Sequence, residues 1–442
     1  MESSGGFPNR IPPGKEYSVR VLLISANTEF TNMAPLPLGL NCVAVAARNE
    51  GHDVRMLDLM GSSDSHSILR DSLDSFRPDV IGVSVRNIDD QNMAEPKFFL
   101  EPVRGIIDFC RNLSCAPIVI GGAGYSIFPE SALRYLNADY GIRGDGEVAF
   151  TEMLRALGRE EPPAGITGLY LPLGKAQGKD IVRPSIATLP LPDPSLWNTT
   201  AGREGDLWVP FQTRRGCPLA CSYCSTPAIE GTRIRKRPIE EVLQGIAAHV
   251  AAGFDRFYFV DSTFNLPPTY TKALCGALSS SKLDIRWRCI LYPGFVDEEL
   301  VRMMSKAGCI EVSLGFESGC PAMLRNFNKK FNLNQVRATA EMLKDHGIRG
   351  TGFLLLGGPG ETRDSVWESL AFADSLNLDL LKITSGIRIY PETALEKIAR
   401  QEGMIPKEDD LLFPRFYLAK GLDGWIEPML SDWMAERPLR TF

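Results

Sequence analysis

Two successive series of short β-branched runs alternating with helical patterns, parted by a proline-rich stretch, constrain this chain more than any other feature. In the first series the strand candidates are residues 19–25 (VRVLLIS), 53–58, 79–85 (DVIGVSV), 117–120 (PIVI) and 138–142. Helical patterns lie over 38–50, 67–76, 98–112 and 130–136. Five strands alternating with helices predict an α/β fold, a Rossmann-like doubly wound parallel sheet. Residues 160–194 are dense in proline, from Pro162 to Pro194, and read as a linker with a hairpin near 168–171.

The second series has strand candidates at 208–213, 256–260, 285–291, 311–315, 352–356 and 381–387, each followed by a helical pattern. Six such units predict a partial (β/α)6 TIM-type barrel whose site lies at the strand C-termini. The expected division is a flexible start (1–17), a first domain (18–158), a linker (159–206), the barrel (207–402) and a C-terminal extension (403–442). Trp425 and Trp433 in that extension suit packing.

The 442 residues suffice for two or three domains. No apolar run reaches the roughly 20 residues needed to span a bilayer, and 1–17 lacks an apolar signal core, so no membrane span and a cytoplasmic location are expected. A net charge of -6 leaves no broad basic surface, which argues against nucleic acid as a partner.

In a doubly wound sheet, ligands bind beyond the carboxyl ends of the strands. Those ends carry Ser84, Val85, Arg86 and Asn87, then Gly121, Gly122 and Gly124, then Gly144, Gly146 and Glu147. Glycines there let a large ligand approach the backbone, or simply make turns. No G-x-G-x-x-G follows the first strand, which weakens a dinucleotide reading.

Ten cysteines in a chain without an export signal read as reduced thiols. Cys217, Cys221 and Cys224 form C-x3-C-x2-C on a loop directly after the first barrel strand. A loop can turn three thiolates toward one point, whereas a helix or strand cannot. Structural zinc usually needs a fourth ligand, and the next cysteine is Cys275. Three thiolates instead fit an iron-sulfur cluster with one open iron.

With the aromatic Tyr223 before its last cysteine, this loop resembles the signature of the radical S-adenosylmethionine (SAM) enzymes. The likeness extends through residues 225–237, 259–265, 315–319, 357–362 and 388–393. Together with the first sheet and its segments 37–40 and 144–147, the chain resembles the cobalamin-binding subgroup. That resemblance implies three cofactors: a 4Fe-4S cluster, SAM and cobalamin. Cys217, Cys221 and Cys224 would be the catalytic cluster ligands. Tyr223, Asp261, Asn265, Ser313, Glu317, Gly357, Gly358 and Arg388 would serve SAM, although Glu317 also suits an ordinary salt bridge at the barrel rim.

The D-x-H-x-x-G motif that ligates cobalt in many cobalamin domains is missing after the first strand, so no histidine ligand is expected. The resemblance puts residues 84–87 beneath the corrin, with the glycines listed above and Glu147 around it. Arg86 would either disfavour a lower water ligand on cobalt or pair with Asp89 or Asp90.

The implied activity is methyl transfer. One SAM methylates cobalt, a second yields a 5'-deoxyadenosyl radical, and the substrate radical takes the methyl group from methylcobalamin. An unactivated carbon of a small-molecule or natural-product substrate would accept it. The alternative is a cyclase or oxidoreductase on the same scaffold, without methyl transfer. A flavodoxin or ferredoxin is the expected one-electron donor. A tRNA methylthiotransferase would need three further cluster cysteines in the first domain, and Cys42 and Cys110 fall on helical patterns.

Overall fold

The computed structural model describes residues 18–29, 36–62, 64–172, 183–197, 207–437 and 440–441. The expected flexible start and linker residues 173–182 and 198–206 lie outside them.

The first sheet contains β1 (Arg20–Ser25), β2 (Asp53–Asp58), β3 (Val80–Ser84), β4 (Ile118–Gly121), β5 (Tyr140–Ile142) and β6 (Leu169–Tyr170), in the order 2-1-3-4-5-6. The first five run parallel, and the order reverses between β1 and β3, where a crevice opens. Val21 to Ser25 are all buried, as a central strand covered by helices on both faces requires. Among the described residues, 168–171 form no hairpin of their own. Gly168, at φ 83°, turns the chain where a Cβ would stand 2.9 Å from the Arg143 carbonyl, and β6 then pairs antiparallel with β5.

The second sheet is the open barrel. Its strands are β7 (Val209–Phe211), β10 (Arg256–Phe259), β11 (Arg286–Leu291), β12 (Cys309–Glu317), β13 (Arg349–Leu356) and β14 (Leu380–Ser385), parallel and adjacent in that order. Between β7 and β10, β8 (Arg214–Arg215) and β9 (Arg235–Lys236) pair antiparallel around the cysteine loop. Along β12, Val312, Leu314 and Phe316 enter the hydrophobic core, while Glu311, Ser313, Gly315 and Glu317 stay half-buried on the other face.

The sequence reading runs the last strand to 387, but β14 stops at Ser385. Gly386, at φ 72°, breaks it, and a Cβ there would collide with Met93 of the first domain. The chain resumes as β15 (Ile387–Arg388), which pairs antiparallel with β16 (Phe416–Tyr417). The C-terminal extension thus packs over the ends of β13 and β14: Ala419 N donates to Gly357 O at 2.9 Å, and Trp433 is buried. Its last strand, β17 (Arg440–Thr441), adds a seventh member beside β14.

Buried ion pairs lock the two sheets together. Arg388 Nε donates to Asp89 Oδ2 at 2.7 Å with both side chains almost fully buried, and its other nitrogens donate to the carbonyls of Ile389, Leu411 and Leu412. The pairing considered for Arg86 with Asp89 is therefore absent. Arg388→Met would leave the Asp89 carboxylate buried without its cation and should cost about 3–5 kcal/mol. Urea unfolding of this variant should show that loss, and Asp89→Asn/Arg388→Met should recover part of it.

Candidate functional site

The cysteine loop is built by charges beneath it. Asp261, just past β10 and fully buried, accepts from Thr213 N (2.7 Å), Thr213 Oγ1 (2.5 Å), Arg214 N (3.1 Å) and Arg214 Nε (3.1 Å). Arg214 also donates to Leu266 O and Thr271 Oγ1 and lies between the rings of Phe264 and Tyr270. Asp261 is thus committed to fixing the start of the loop and is not free for a ligand. Asn265 is equally committed: it binds the backbone of Tyr292 at both N–H and C=O, and the carbonyl of Gly294. Arg388, bound as described above, is the third expected SAM contact with its polar atoms engaged inside the protein. Sequence position showed these residues near strand ends but could not show their partners.

Gly216 makes the first bend, at φ 93°. A Cβ there would lie 2.1 Å from Arg233 O, and its N–H donates to Glu230 Oε2 at 2.9 Å. The three thiols follow, none of them in a disulfide. Cys217 Sγ is 3.6 Å from Thr263 Oγ1, and Cys224 Sγ is 3.2 Å from Thr226 Oγ1. Burial raises the Cys217 and Cys221 pKa values, and the neighbouring thiols add to the rise, which places the three in one electrostatic neighbourhood. No group among the described residues is arranged to hold a single metal ion. A multi-iron cluster, whose ligand sulfurs stand further apart, suits the loop better.

Behind the loop, Lys329 Nζ donates to Tyr223 OH at 2.9 Å and to Glu317 Oε1 at 3.3 Å. Burial works against the Lys329 ammonium, but Glu317 and Cys221 outweigh it and raise its pKa. Burial, then Glu317, pushes the Tyr223 phenol far up, so it stays protonated. Glu317 sits at φ 64° after an irregularity in the β12–β13 register at Gly315, which swings its side chain toward Tyr223 and Lys329. Ser313 is half-buried two turns of the pleat earlier on the same face. Lys329 is a member of this group that sequence reading missed, because the turn in which it lies, after the helix Pro321–Asn326, gives no local signal of it.

Gly357 and Gly358 follow β13. Their N–H groups both donate to Glu361 Oε2, at 2.5 and 3.1 Å, and a Cβ on Gly358 would press within 2.5 Å of the Phe327 ring. The glycines therefore serve close packing toward the cysteine loop, and their amides are already used. Glu361 was also missed.

A large cavity, about 1470 Å³ including its open mouth, separates the two sheets. Ser84, Arg86, Gly121, Gly122, Gly144, Gly146 and Glu147 line it from the first domain, together with residues 36–40. Pro210, Gln212, Arg215, Ile229, Glu230 and Val260 line it from the barrel. Val85, Asn87 and Gly124 stand behind the wall. Gly122 and Gly124 are required there because a Cβ would meet the Val85 carbonyl at 2.6 Å and the Arg86 carbonyl at 3.0 Å. Glu147 borders the cavity with both oxygens held by Arg215, at 2.7 and 3.3 Å. Arg86 is exposed into the cavity and forms no ion pair among the described residues.

Residues 212–373 match the Radical SAM superfamily, and residues 33–154 match the B12 binding domain. The chain belongs to the cobalamin-binding radical SAM enzymes. Its cofactors are a 4Fe-4S cluster, SAM and cobalamin. The residues present fit them: three free thiols lie on one loop, and the cavity beside it is bordered by Gly121, Gly122, Gly144 and Gly146. Among its relatives, an uncharacterized methyltransferase of Pyrococcus horikoshii is 28% identical over 371 residues, 82% of this chain and 78% of that one. The tryptophan 2-C-methyltransferase of Streptomyces laurentii is 25% identical over 444 residues, 85% and 74% of the two chains. The fold matches the radical SAM methyltransferase TsrM of Kitasatospora setae, solved with cobalamin and a 4Fe-4S cluster, at a TM-score of 0.77 and 24% identity, over 87% of this chain and 75% of that one.

Two outcomes follow for this cobalamin-binding radical SAM enzyme. Gly216→Ala should prevent the loop from closing, so iron and sulfide bound after anaerobic reconstitution should fall to a small fraction of the wild-type content while far-ultraviolet circular dichroism persists. Burial raises the Glu361 pKa to about 7 from its ordinary 4.5. The fold therefore prefers the neutral acid: this stabilisation is complete below pH 4.5 and is lost as pH rises through about 7, by up to about 3 kcal/mol. Between pH 5 and 8.5 the wild type should lose more stability than Glu361→Gln in parallel denaturant titrations.

Proposed function

We propose that the protein is a cobalamin-dependent radical SAM methyltransferase acting on an unactivated carbon of a small molecule. The observation that carries this reading is a cavity between the strand ends of the first sheet and the barrel residues Arg215, Ile229 and Glu230 that flank the cysteine loop. The names of its relatives support it. When bound, the cluster and SAM supply a carbon-centred radical, and cobalamin carries the methyl group to a carbon that has no lone pair.

In this reading Cys217, Cys221 and Cys224 hold the cluster, and the Thr263 hydroxyl beside the Cys217 sulfur favours its thiolate. Lys329 holds Tyr223 and Glu317 in place, so that Glu317 and Ser313 face the polar groups of SAM from β12. The backbone of Gly357 and Gly358 borders the same region. On the other side, Ser84, Gly121, Gly122, Gly144 and Gly146 offer backbone to cobalamin. Arg86 reaches into the cavity, where its guanidinium would lie against the bound cobalamin. No helix among the described residues is long and apolar enough to cross a membrane, and a cytoplasmic location with a low-potential one-electron donor completes the reading.

The test is anaerobic reconstitution with iron, sulfide and hydroxocobalamin, followed by SAM and a strong reductant. Retained corrinoid together with 5'-deoxyadenosine and S-adenosylhomocysteine is expected, and Cys221→Ala should abolish both products. Deoxyadenosine without S-adenosylhomocysteine would favour a cyclase or oxidoreductase instead. Failure to retain corrinoid would overturn the reading of the first domain.

A further inference from the structure

A side chain that borders the cavity also closes the cysteine loop. Glu230 ends the short helix Thr226–Glu230, which follows directly on the last of the three cysteines. Its Oε2 accepts from Gly216 N at 2.9 Å and from Ser262 Oγ at 2.9 Å, and its Oε1 accepts from Gln212 Nε2 at 2.7 Å. Beside it, Gly231 O accepts from Cys217 N at 3.1 Å. The segment behind Cys224 is thus pinned to the backbone in front of Cys217, and the loop is shut at its neck.

The same hydrogen bonds continue into the first domain. Gln212 Oε1 accepts from Arg215 Nε at 2.8 Å, and Arg215 donates to Asp145 at 2.8 Å and to Glu147 at 2.7 Å. All five of these side chains, Glu230 included, line the cavity. An unbroken chain of hydrogen bonds therefore runs along the cavity wall from the end of the first sheet to the amide next to Cys217. Gln212 and Glu230 are half-buried on an open cavity, so water competes for their bonds. A large ligand there displaces that water, and hydrogen bonds to a carboxylate strengthen as their surroundings dry.

We propose that Gln212 and Glu230 are positioning residues that couple the cobalamin cavity to the cluster loop. The inference rests on the cofactor places given under the proposed function. A corrinoid in the cavity firms the neck of the loop, and a cluster on the loop orders the wall that the corrinoid meets. The neck is ordered once, so the cofactor that binds second meets less of the conformational cost. Such coupling is reciprocal: each cofactor changes the affinity for the other by one common factor.

The test is the dissociation constant of hydroxocobalamin for the full chain, measured anaerobically by ultrafiltration with the cluster assembled and again with iron removed. The wild type should bind at least about fivefold more tightly when the cluster is present. Gln212→Leu severs Arg215 from Glu230 and leaves the bond from Glu230 to Gly216 in place, so the ratio should fall below about twofold. Glu230→Gln should do the same, because an amide cannot accept at both ends. Loss of an ordinary wall contact would weaken binding equally in both states and leave the ratio unchanged. A wild-type ratio near one, or variants that keep the wild-type ratio, overturns the proposal. If one variant fails to fold, the wild type and the other variant still decide. A wild-type chain that retains no corrinoid in either state, or assembles no cluster, overturns the cofactor places instead, and the coupling with them.

Discussion

Everything the site can do depends on buried arginine–carboxylate pairs that hold the two sheets apart at a fixed spacing. Arg215, at the root of the cysteine loop, binds Asp145 at 2.8 Å and Glu147 at 2.7 Å at the start of the helix that follows β5, and Arg235 binds Asp145 from the paired strand. Arg388 and Asp89 make a second such pair across the domain junction. Taking these charges out of water is costly, and the cost is offset only when each charge keeps its partner and its hydrogen bonds. A hydrophobic junction would hold the domains together too, but it tolerates sliding. Pairs with this geometry do not, and they leave a gap that a large ligand can enter.

The same logic runs through the cysteine loop. Asp261 gathers Thr213 and Arg214, Glu230 takes the Gly216 amide, and Lys329 ties Tyr223 to Glu317. Each charged group acts on the backbone or on a neighbouring side chain. Several residues expected to touch a cofactor are positioning residues in this sense. Asp261 and Asn265 shape the wall that a cofactor would meet.

The fold was almost wholly legible, because period-2 and period-3.6 patterns report which face of an element is buried and hold over whole strands and helices. The departures have local causes: Gly386 ends β14 early under Met93, and Gly168 turns a linker segment into β6. The site was legible in part. The cysteine spacing is a property of adjacent residues and survives in one dimension, as do the glycines of 121–124 and 144–146. Lys329 was invisible, since it matters through Tyr223 on another segment, and Glu361 stood in the 357–362 segment without any sign that its carboxyl takes the Gly357 and Gly358 amides.

By itself, then, the sequence determined the two α/β units, the loop that carries three cysteines and the strand ends that face a ligand, all of which depend on short-range pattern. Only the tertiary structure decided which charges are spent on holding the fold and which remain for chemistry. Arg388 and Glu147 are consumed by Asp89 and Arg215, while Arg86 stays exposed in the cavity. The physical reason is that a charge's availability is set by the partners that burial brings to it from distant parts of the chain, and no residue carries that information alone.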